Sequence, residues 1–405
     1  MTVHEIDRLC HRVSHDPAFL ASLHADPAGV LAGLPLSAGE RRDLLAGDVL
    51  ALHRRGAHPV LLVRLATHRV FGLTPQLYGR RISAPGPLLE VIMTMPDVSP
   101  DRVLWRNGEF IPWHEATVHV NAIGHASVSA AFEGVHSYWS PARGQLLGFR
   151  FREHMKRLHD SLRLSRLVPA FDPDELVEAA AELLTRVSEP GKDVYVRPWG
   201  FAAGLHREQM VAAGAPAEIV IDSWDFTSKL GQGRTCTLAV SSWPRTNHSA
   251  SPATMKVFSN YHNGRLGNAE ARQRGADWPV FINDRGEVTE SSGACLAMVR
   301  DGVLCFPDLA SGVLDSVTRD TMRVLAAEAG IPVQIRRIER TELYLADEVM
   351  LLGTAAEVLP ATEIDGFPIG SGKQGPVAQE LETRYHDLVR GAVTTHEQWL
   401  TPVKA

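Results

Sequence analysis

The stretch Lys256-Val257-Phe258-Ser259-Asn260-Tyr261 sets a lysine between a predicted strand near 237–243 and an apolar-aromatic run. Among the 41 Lys and Arg residues of the 405-residue chain only six are lysines: Lys156, Lys192, Lys229, Lys256, Lys373 and Lys404. Lys156 falls in a charged helical stretch, Lys229 in a polar loop, Lys192 and Lys373 in Gly-flanked turns, and Lys404 in the tail. Lys256 is therefore the candidate for lysine chemistry: an amine held in a low-dielectric site works as a nucleophile or base.

Outward from that lysine, strands and helices alternate from about residue 101, as α/β parts do. Val103-Leu104-Trp105 and Glu109-Phe110-Ile111 flank Asn107-Gly108, a hairpin turn signal. A helix is expected over Phe149–Leu167, with Met155, Leu158, Leu162 and Leu167 on one side. Strands are expected over Asp193–Phe201, Ala217–Asp222, 279–283 and 294–299, and helices near 318–329 and 376–391. Residues 223–235 read as a polar connection between two α/β parts. Residues 1–82 read as a small helical unit, where Ser37-Ala38-Gly39-Glu40 has capping-box spacing. Residues 83–100, with four prolines, read as a linker.

Composition excludes several classes. A net charge of −6 gives no basic field for nucleic acid or an anionic membrane. The apolar run Pro59–Val63 is too short for a bilayer span, and the polar N-terminus lacks a signal-peptide core. Four scattered cysteines and seven N-terminal histidines without ligand spacing support neither a disulfide framework nor a metal site, so the expected compartment is the cytoplasm. Gly370-Ser371-Gly372-Lys373-Gln374-Gly375 fits a dinucleotide-binding pattern, but Pro376 follows at once and too little chain remains for a βαβ unit.

A set of ordered blocks carries a resemblance. They are Phe132-Glu133-Gly134, Arg152-Glu153-His154-Met155-Lys156-Arg157-Leu158, Tyr195-Val196-Arg197-Pro198, Lys256 to Tyr261, Gly286-Glu287-Val288-Thr289-Glu290, Val317-Thr318-Arg319-Asp320 and Gly353-Thr354-Ala355-Ala356-Glu357. From about 101 to 392 the chain resembles the branched-chain aminotransferase family of class IV, or fold-type IV, pyridoxal-phosphate (PLP) enzymes. The resemblance implies an α/β (two-domain α+β) catalytic body behind an all-α N-terminal domain. Its small domain would span about 101–225, its large PLP-binding domain 235–392, and a tail 393–405.

PLP requires a lysine for its Schiff base, an acid at the pyridine nitrogen and donors for its phosphate. The resemblance assigns these to Lys256, to Glu290, and to Arg157, Val317, Thr318 and Thr354, with Tyr261 on the ring oxygen. Tyr195, Arg197 and the backbone at Thr354 and Ala355 would hold substrate carboxylates; Phe132 and Trp224 would line the side-chain pocket. The implied reaction moves an amino group between an L-amino acid and a 2-oxo acid such as 2-oxoglutarate, in a homodimer or higher homo-oligomer. Departures are present: Ser127 stands where the family carries a tyrosine, Asp315-Ser316 replaces Pro-Gly, and the loop Asp225–Gly233 differs in length. They leave the donor open among branched-chain, aromatic and specialised amino acids. Aminodeoxychorismate lyase and D-amino acid aminotransferase activity share the apparatus and stand as alternatives, as does a non-catalytic binding protein.

The N-terminal unit has its own likeness. Gly47-Asp48-Val49, Gly56 to Leu62, Phe71-Gly72-Leu73-Thr74 and Tyr78 look like the small helical subunit of extradiol dioxygenases of the protocatechuate 4,5-dioxygenase type. That implies a helical cap or docking module without a metal.

Overall fold

The computed structural model describes residues 3–75, 77–78, 102–204 and 207–403. The expected linker 83–100 lies outside them. The chain divides into two compact units, Met1–Val98 and Ser99–Ala405.

The first unit contains the helices Val3–His15, Pro17–Ala25, Pro27–Ala32, Ala38–Leu45, Val49–Arg54 and Pro59–Thr67. Two of them start with Asp-Pro. Asp16 and Asp26 accept the N–H of Phe19 and Gly29 at 2.9 Å, and the following proline supplies a pre-set φ where its missing donor is harmless. The capping box at Ser37 forms in both directions with Glu40. Ile6, Leu9, Leu23, Leu31, Leu44, Leu52, Leu62 and Leu65 make the core; each buried side chain of this size stabilises by about 1.5–3 kcal/mol.

The second unit holds two sheets. Among the described residues the first has nine strands. Its central pair is Val194–Ala202 against Ala215–Asp225, antiparallel along the whole length. Val135–Ser140 and Gln145–Phe149 continue one side; Val103–Arg106 and Glu109–Pro112 continue the other. Ala131–Phe132 pairs with the strand 194–202 as well. Asn107 and Gly108 take φ of 47° and 98°, the two left-handed positions that a two-residue hairpin turn needs. Helices Phe151–Leu164 and Pro173–Val187 bury Met155, Leu158, Leu162, Leu176, Leu183 and Leu184 against this sheet.

Two expectations are corrected here. The helix expected to reach Leu167 ends at Leu164; Arg166 turns left-handed (φ 62°) and Leu167 opens a strand paired with Ala215. The C-terminal tail is not free of the body: Leu400–Val403 forms the edge strand against Leu146–Phe149, the edge being where Pro402 costs least in lost hydrogen bonds.

The second sheet is mixed. Its order is Trp278–Val280, Cys236–Val240, Glu357–Ile364, Glu348–Gly353, Cys295–Arg300, Val303–Pro307 and Val333–Arg336, with Phe367–Pro368 added beside Glu357–Ile364. Helices Val317–Glu328 and Pro376–Val389 pack Met322, Leu325, Leu381, Tyr385 and Leu388 on it, and Tyr138, Leu147 and Phe149 of the first sheet join the same core. The two sheets are thus parts of one packed body. The glycine-rich turn before Pro376 has no free anion site. The Glu348 carboxylate takes the N–H groups of Val377 (2.9 Å) and Ala378 (2.8 Å), filling the helix start with protein charge.

Candidate active site

Lys256 sits where the second sheet's long loop is stitched to the first sheet. Asn260, in the first turn of helix Phe258–Gln273, folds back on that loop. Its Nδ2 donates to the carbonyls of Pro252 and Met255 at 3.1 Å each, and its Oδ1 accepts from Ser251. The Lys256 N–H donates to Ser161 Oγ at 3.1 Å, its carbonyl accepts from Phe132 N–H at 3.0 Å, and Val257 bridges to Ala131. With its backbone fixed on both sides, Lys256 aims Nζ at Tyr261 Oη, 2.7 Å away, and 4.9 Å from the centre of the Phe132 ring. Burial pushes the ammonium down, but the Tyr261 oxygen and the Glu133 carboxylate outweigh it, so the net shift is upward.

Glu290 and Arg157 occupy the same cleft from other elements. Glu290 is buried; one oxygen accepts from Arg245 Nη2 at 2.6 Å and the other from Leu314 N–H at 3.2 Å. Arg157 is gripped by Glu133, Nε at 2.6 Å and Nη2 at 2.9 Å, while Nη1 donates to the Asp315 carbonyl at 2.7 Å. A guanidinium has five N–H bonds, so donors remain for an anion. Glu133 also accepts from His154 Nδ1 at 2.8 Å. Burial alone would raise the Glu133 carboxyl; Arg157 and His154 hold it well below the usual carboxylate range. At the start of Val317–Glu328, Ser316 Oγ caps Arg319 N–H, and the N–H groups of Val317 and Thr318 have no partner among the described residues.

Arg157, Lys256, Tyr261, Glu290, Val317, Thr318 and Thr354 thus line one cleft of about 600 Å³. Phe132 lies at its edge, packed on Tyr261 at 4.7 Å between ring centres. The remaining sequence candidates cluster beside it on the first sheet. Tyr195 and Trp224 are cross-strand partners stacked at 5.0 Å, and the Arg197 guanidinium lies 5.2 Å from Trp224 and 5.6 Å from Phe132. Arg197 Nε is buried with no partner among the described residues. Gly134 explains itself here: a Cβ at this position would stand 1.7 Å from Tyr195 Oη. Ala355 follows Thr354 in the turn Gly353–Glu357 and is not itself among the cleft's lining.

Sequence reasoning missed several contributors. Glu133 and His154 stood inside quoted blocks without a role, though a carboxylate three residues of helix pitch from an arginine gives no signal before folding. Arg245, Ser291, Trp199 and Phe258 had no distinguishing pattern. Trp199 and Phe258 extend the ring wall, their centres 5.1 Å apart.

The donor set fits a phosphorylated pyridine aldehyde. One end of the cleft offers cationic and N–H donors, the other a buried carboxylate, and an amine lies between. Ser291 Oγ and Arg245 Nε, both in the cleft wall, are buried polar atoms with no partner among the described residues, as a polar ligand requires. Fold and site together define a PLP-dependent transaminase. Residues 130–364 match the family model for amino-transferase class IV, and the chain belongs to that family. It is 35% identical over 297 residues to a probable branched-chain-amino-acid aminotransferase of Aquifex aeolicus, covering 73% of this chain and 95% of that one. It is 34% identical to the branched-chain-amino-acid aminotransferase of Pseudomonas aeruginosa over 315 residues, 77% of this chain and 100% of the other. The crystal structure of the Thermobaculum terrenum branched-chain amino acid aminotransferase in its PLP form superimposes with a TM-score of 0.72 at 39% identity, covering 75% of this chain and 98% of that chain.

Proposed function

We propose that this aminotransferase moves the amino group of an L-amino acid with an apolar side chain, branched-chain or aromatic, to a 2-oxo acid such as 2-oxoglutarate. The observation that carries it is the Lys256 amine 2.7 Å from Tyr261 Oη, in the cleft it shares with Glu290, Arg157 and the helix start at Val317. The names of the relatives support the donor class. A Thermus relative has been crystallised with N-(5'-phosphopyridoxyl)-L-glutamate, which supports glutamate and its oxo acid as the second pair.

Bound PLP supplies a carbonyl that takes up the amino group and a pyridine ring that accepts electrons. The residues do the rest. Arg157, the N–H groups of Val317 and Thr318 and the Thr354 hydroxyl hold the phosphate. Glu290 keeps a proton on the pyridine nitrogen; Tyr261 orients the ring oxygen. Lys256 Nζ takes the proton from the substrate Cα and returns it. Tyr195, Arg197 and the backbone at Ala355 hold substrate carboxylates, while Phe132 and Trp224 bound the side chain and exclude water.

A homodimer or larger homo-oligomer in the cytoplasm completes the reading. Its support is the segment holding Val118, Val120, Ile123 and Val128, large apolar side chains left exposed, and the packing of helix Ile123–Ser129 beside helix Phe258–Gln273. Residues 1–82 would serve as a docking module. Among the described residues no helix is long and apolar enough to cross a membrane.

The test is a donor screen with 2-oxoglutarate. Leucine, isoleucine, valine or phenylalanine should exceed aspartate and lysine at least about tenfold, in line with burial of an apolar chain, and Lys256→Ala should abolish both turnover and the bound cofactor's visible absorbance. Preference for D-amino acids, or release of pyruvate from aminodeoxychorismate, would overturn the reading in favour of those activities.

A further inference from the structure

The polar connection after Asp225 is held by buried groups from four distant segments. Phe226 N–H donates to the Asp193 carbonyl at 3.0 Å, and Phe226 O accepts from His136 Nε2 at 3.1 Å. Ser228 N–H donates to Asp193 Oδ2 at 3.0 Å. Ser228 Oγ and Lys229 N–H donate to the two oxygens of Glu357, each at 2.7 Å. Gly231 N–H donates to Glu382 at 2.8 Å.

Glu357 is unusual among these. It is 1% exposed and sits at φ 56°, a left-handed conformation that a residue with a side chain seldom adopts. It pairs with Gly353, so it closes the turn that carries Thr354 and Ala355. It also accepts from Tyr138 Oη at 3.2 Å, and His136 Nδ1 lies 3.8 Å away. The connection it grips puts the Phe226 ring 5.5 Å from Tyr195. One carboxylate therefore ties together the turn at Thr354, the connection, and through Phe226 the tyrosine of the strand Val194–Ala202.

We propose that Glu357 is a positioning residue for substrate: it fixes the connection 226–229 against the turn Gly353–Glu357 so that Tyr195 and the Ala355 backbone meet the substrate's carboxylates from opposite sides. This rests on the substrate roles given above for Tyr195 and Ala355. A left-handed glutamate is retained here because no shorter side chain would reach both Ser228 and Lys229 from inside the turn. The groups that hold cofactor (Lys256, Glu290, Arg157) do not touch Glu357, so its loss should act on substrate binding and leave cofactor binding alone.

The experiment compares Glu357→Ala, Glu357→Gln and Ser228→Ala in the full-length holoenzyme. Steady-state kinetics are read with donor and acceptor separately, alongside cofactor absorbance and hydrogen exchange at the Ser228 and Lys229 amides. Glu357→Ala should raise KM for both substrates by about tenfold or more, the loss expected for two charge-assisted bonds, with kcat changed less than about threefold. Exchange at the Lys229 amide should rise and cofactor absorbance should stay. Glu357→Gln keeps an oxygen for Lys229 N–H and an amide that Ser228 Oγ can face by turning, so it should recover most of the KM. Ser228→Ala removes one bond without touching the turn and should shift KM in the same direction by a smaller factor. An unchanged KM in both Glu357→Ala and Ser228→Ala, or loss of cofactor in step with activity, would overturn the proposal. A wild-type enzyme that transaminates no amino acid would instead overturn the functional reading on which it rests.

Discussion

Replacing Glu133 by glutamine tests the electrostatic core of the cofactor site. The side chain is fully buried and makes three bonds: Arg157 Nε at 2.6 Å, Arg157 Nη2 at 2.9 Å and His154 Nδ1 at 2.8 Å. Glutamine keeps the shape but brings an NH2 group to face one of these donors. If it takes the first oxygen's place it meets Arg157 Nε–H; if the second, it meets Nη2–H. Either way one N–H of a guanidinium that is itself only 14% exposed loses its acceptor, and the arginine loses its counter-charge. Breaking one side of a buried pair costs about 3–5 kcal/mol, and the two bonds that survive place this variant near the lower end. Arg157 would then remain tied only through Nη1 to the Asp315 carbonyl. A misaimed guanidinium forfeits a charged hydrogen bond to phosphate, about 1.5–3 kcal/mol, or roughly tenfold to a hundredfold in cofactor affinity. Urea unfolding of the catalytic body gives the first quantity and fluorescence titration of the apoprotein with PLP gives the second. A variant within about 1 kcal/mol of the wild type and with unchanged PLP affinity would refute the claim that Glu133 both stabilises and aims Arg157.

Gly134→Ala should strike the substrate side instead. Its Cβ would fall 1.7 Å from Tyr195 Oη, so the ring must leave its stack with Trp224. A displacement of this order should lower kcat/KM by about tenfold to a hundredfold, with cofactor absorbance retained; an unaffected kcat/KM would show that Tyr195 does not set the substrate's position. The stability of the body should fall in mild acid. Burial, against the opposing pull of Asp193, pushes His136 down from 6.5 to about 4, so the unfolded chain binds a proton that the folded chain refuses. The stability this represents is whole above pH 6.5 and is lost as pH falls from there toward 4, at most about 3 kcal/mol from the linkage relation. His136→Gln should flatten that part of the urea-midpoint profile; a slope unchanged by the substitution would assign it to other groups.

The local features were legible because covalent neighbours determine them. Asn107-Gly108 reads as a turn because its two residues tolerate positive φ, and Ser37 with Glu40 reads as a cap because three residues bring side chain and backbone together. Short-range reading failed at Leu167, where apolar spacing continued the helix pattern but Arg166 in a left-handed conformation ended it. It failed at the C-terminus too: nothing in Leu400–Val403 announces a partner strand more than 250 residues earlier.

For the site, the order of blocks carried the family resemblance, and composition reduced the lysine question to Lys256. That much lies in residue identity. How Lys256 is held, by Ser161, Phe132 and Asn260 from three separate segments, was decided only when the two sheets packed together. The same is true of Glu133 under Arg157, Arg245 against Glu290, and Glu357 across the connection. A sequence pattern records spacing along one chain, and burial and charge pairing depend on distances across the fold. The sequence by itself therefore determined which groups are available for PLP chemistry. The tertiary structure decided which of them are brought within hydrogen-bonding reach, because desolvated charges gain their partners only when distant segments close over them.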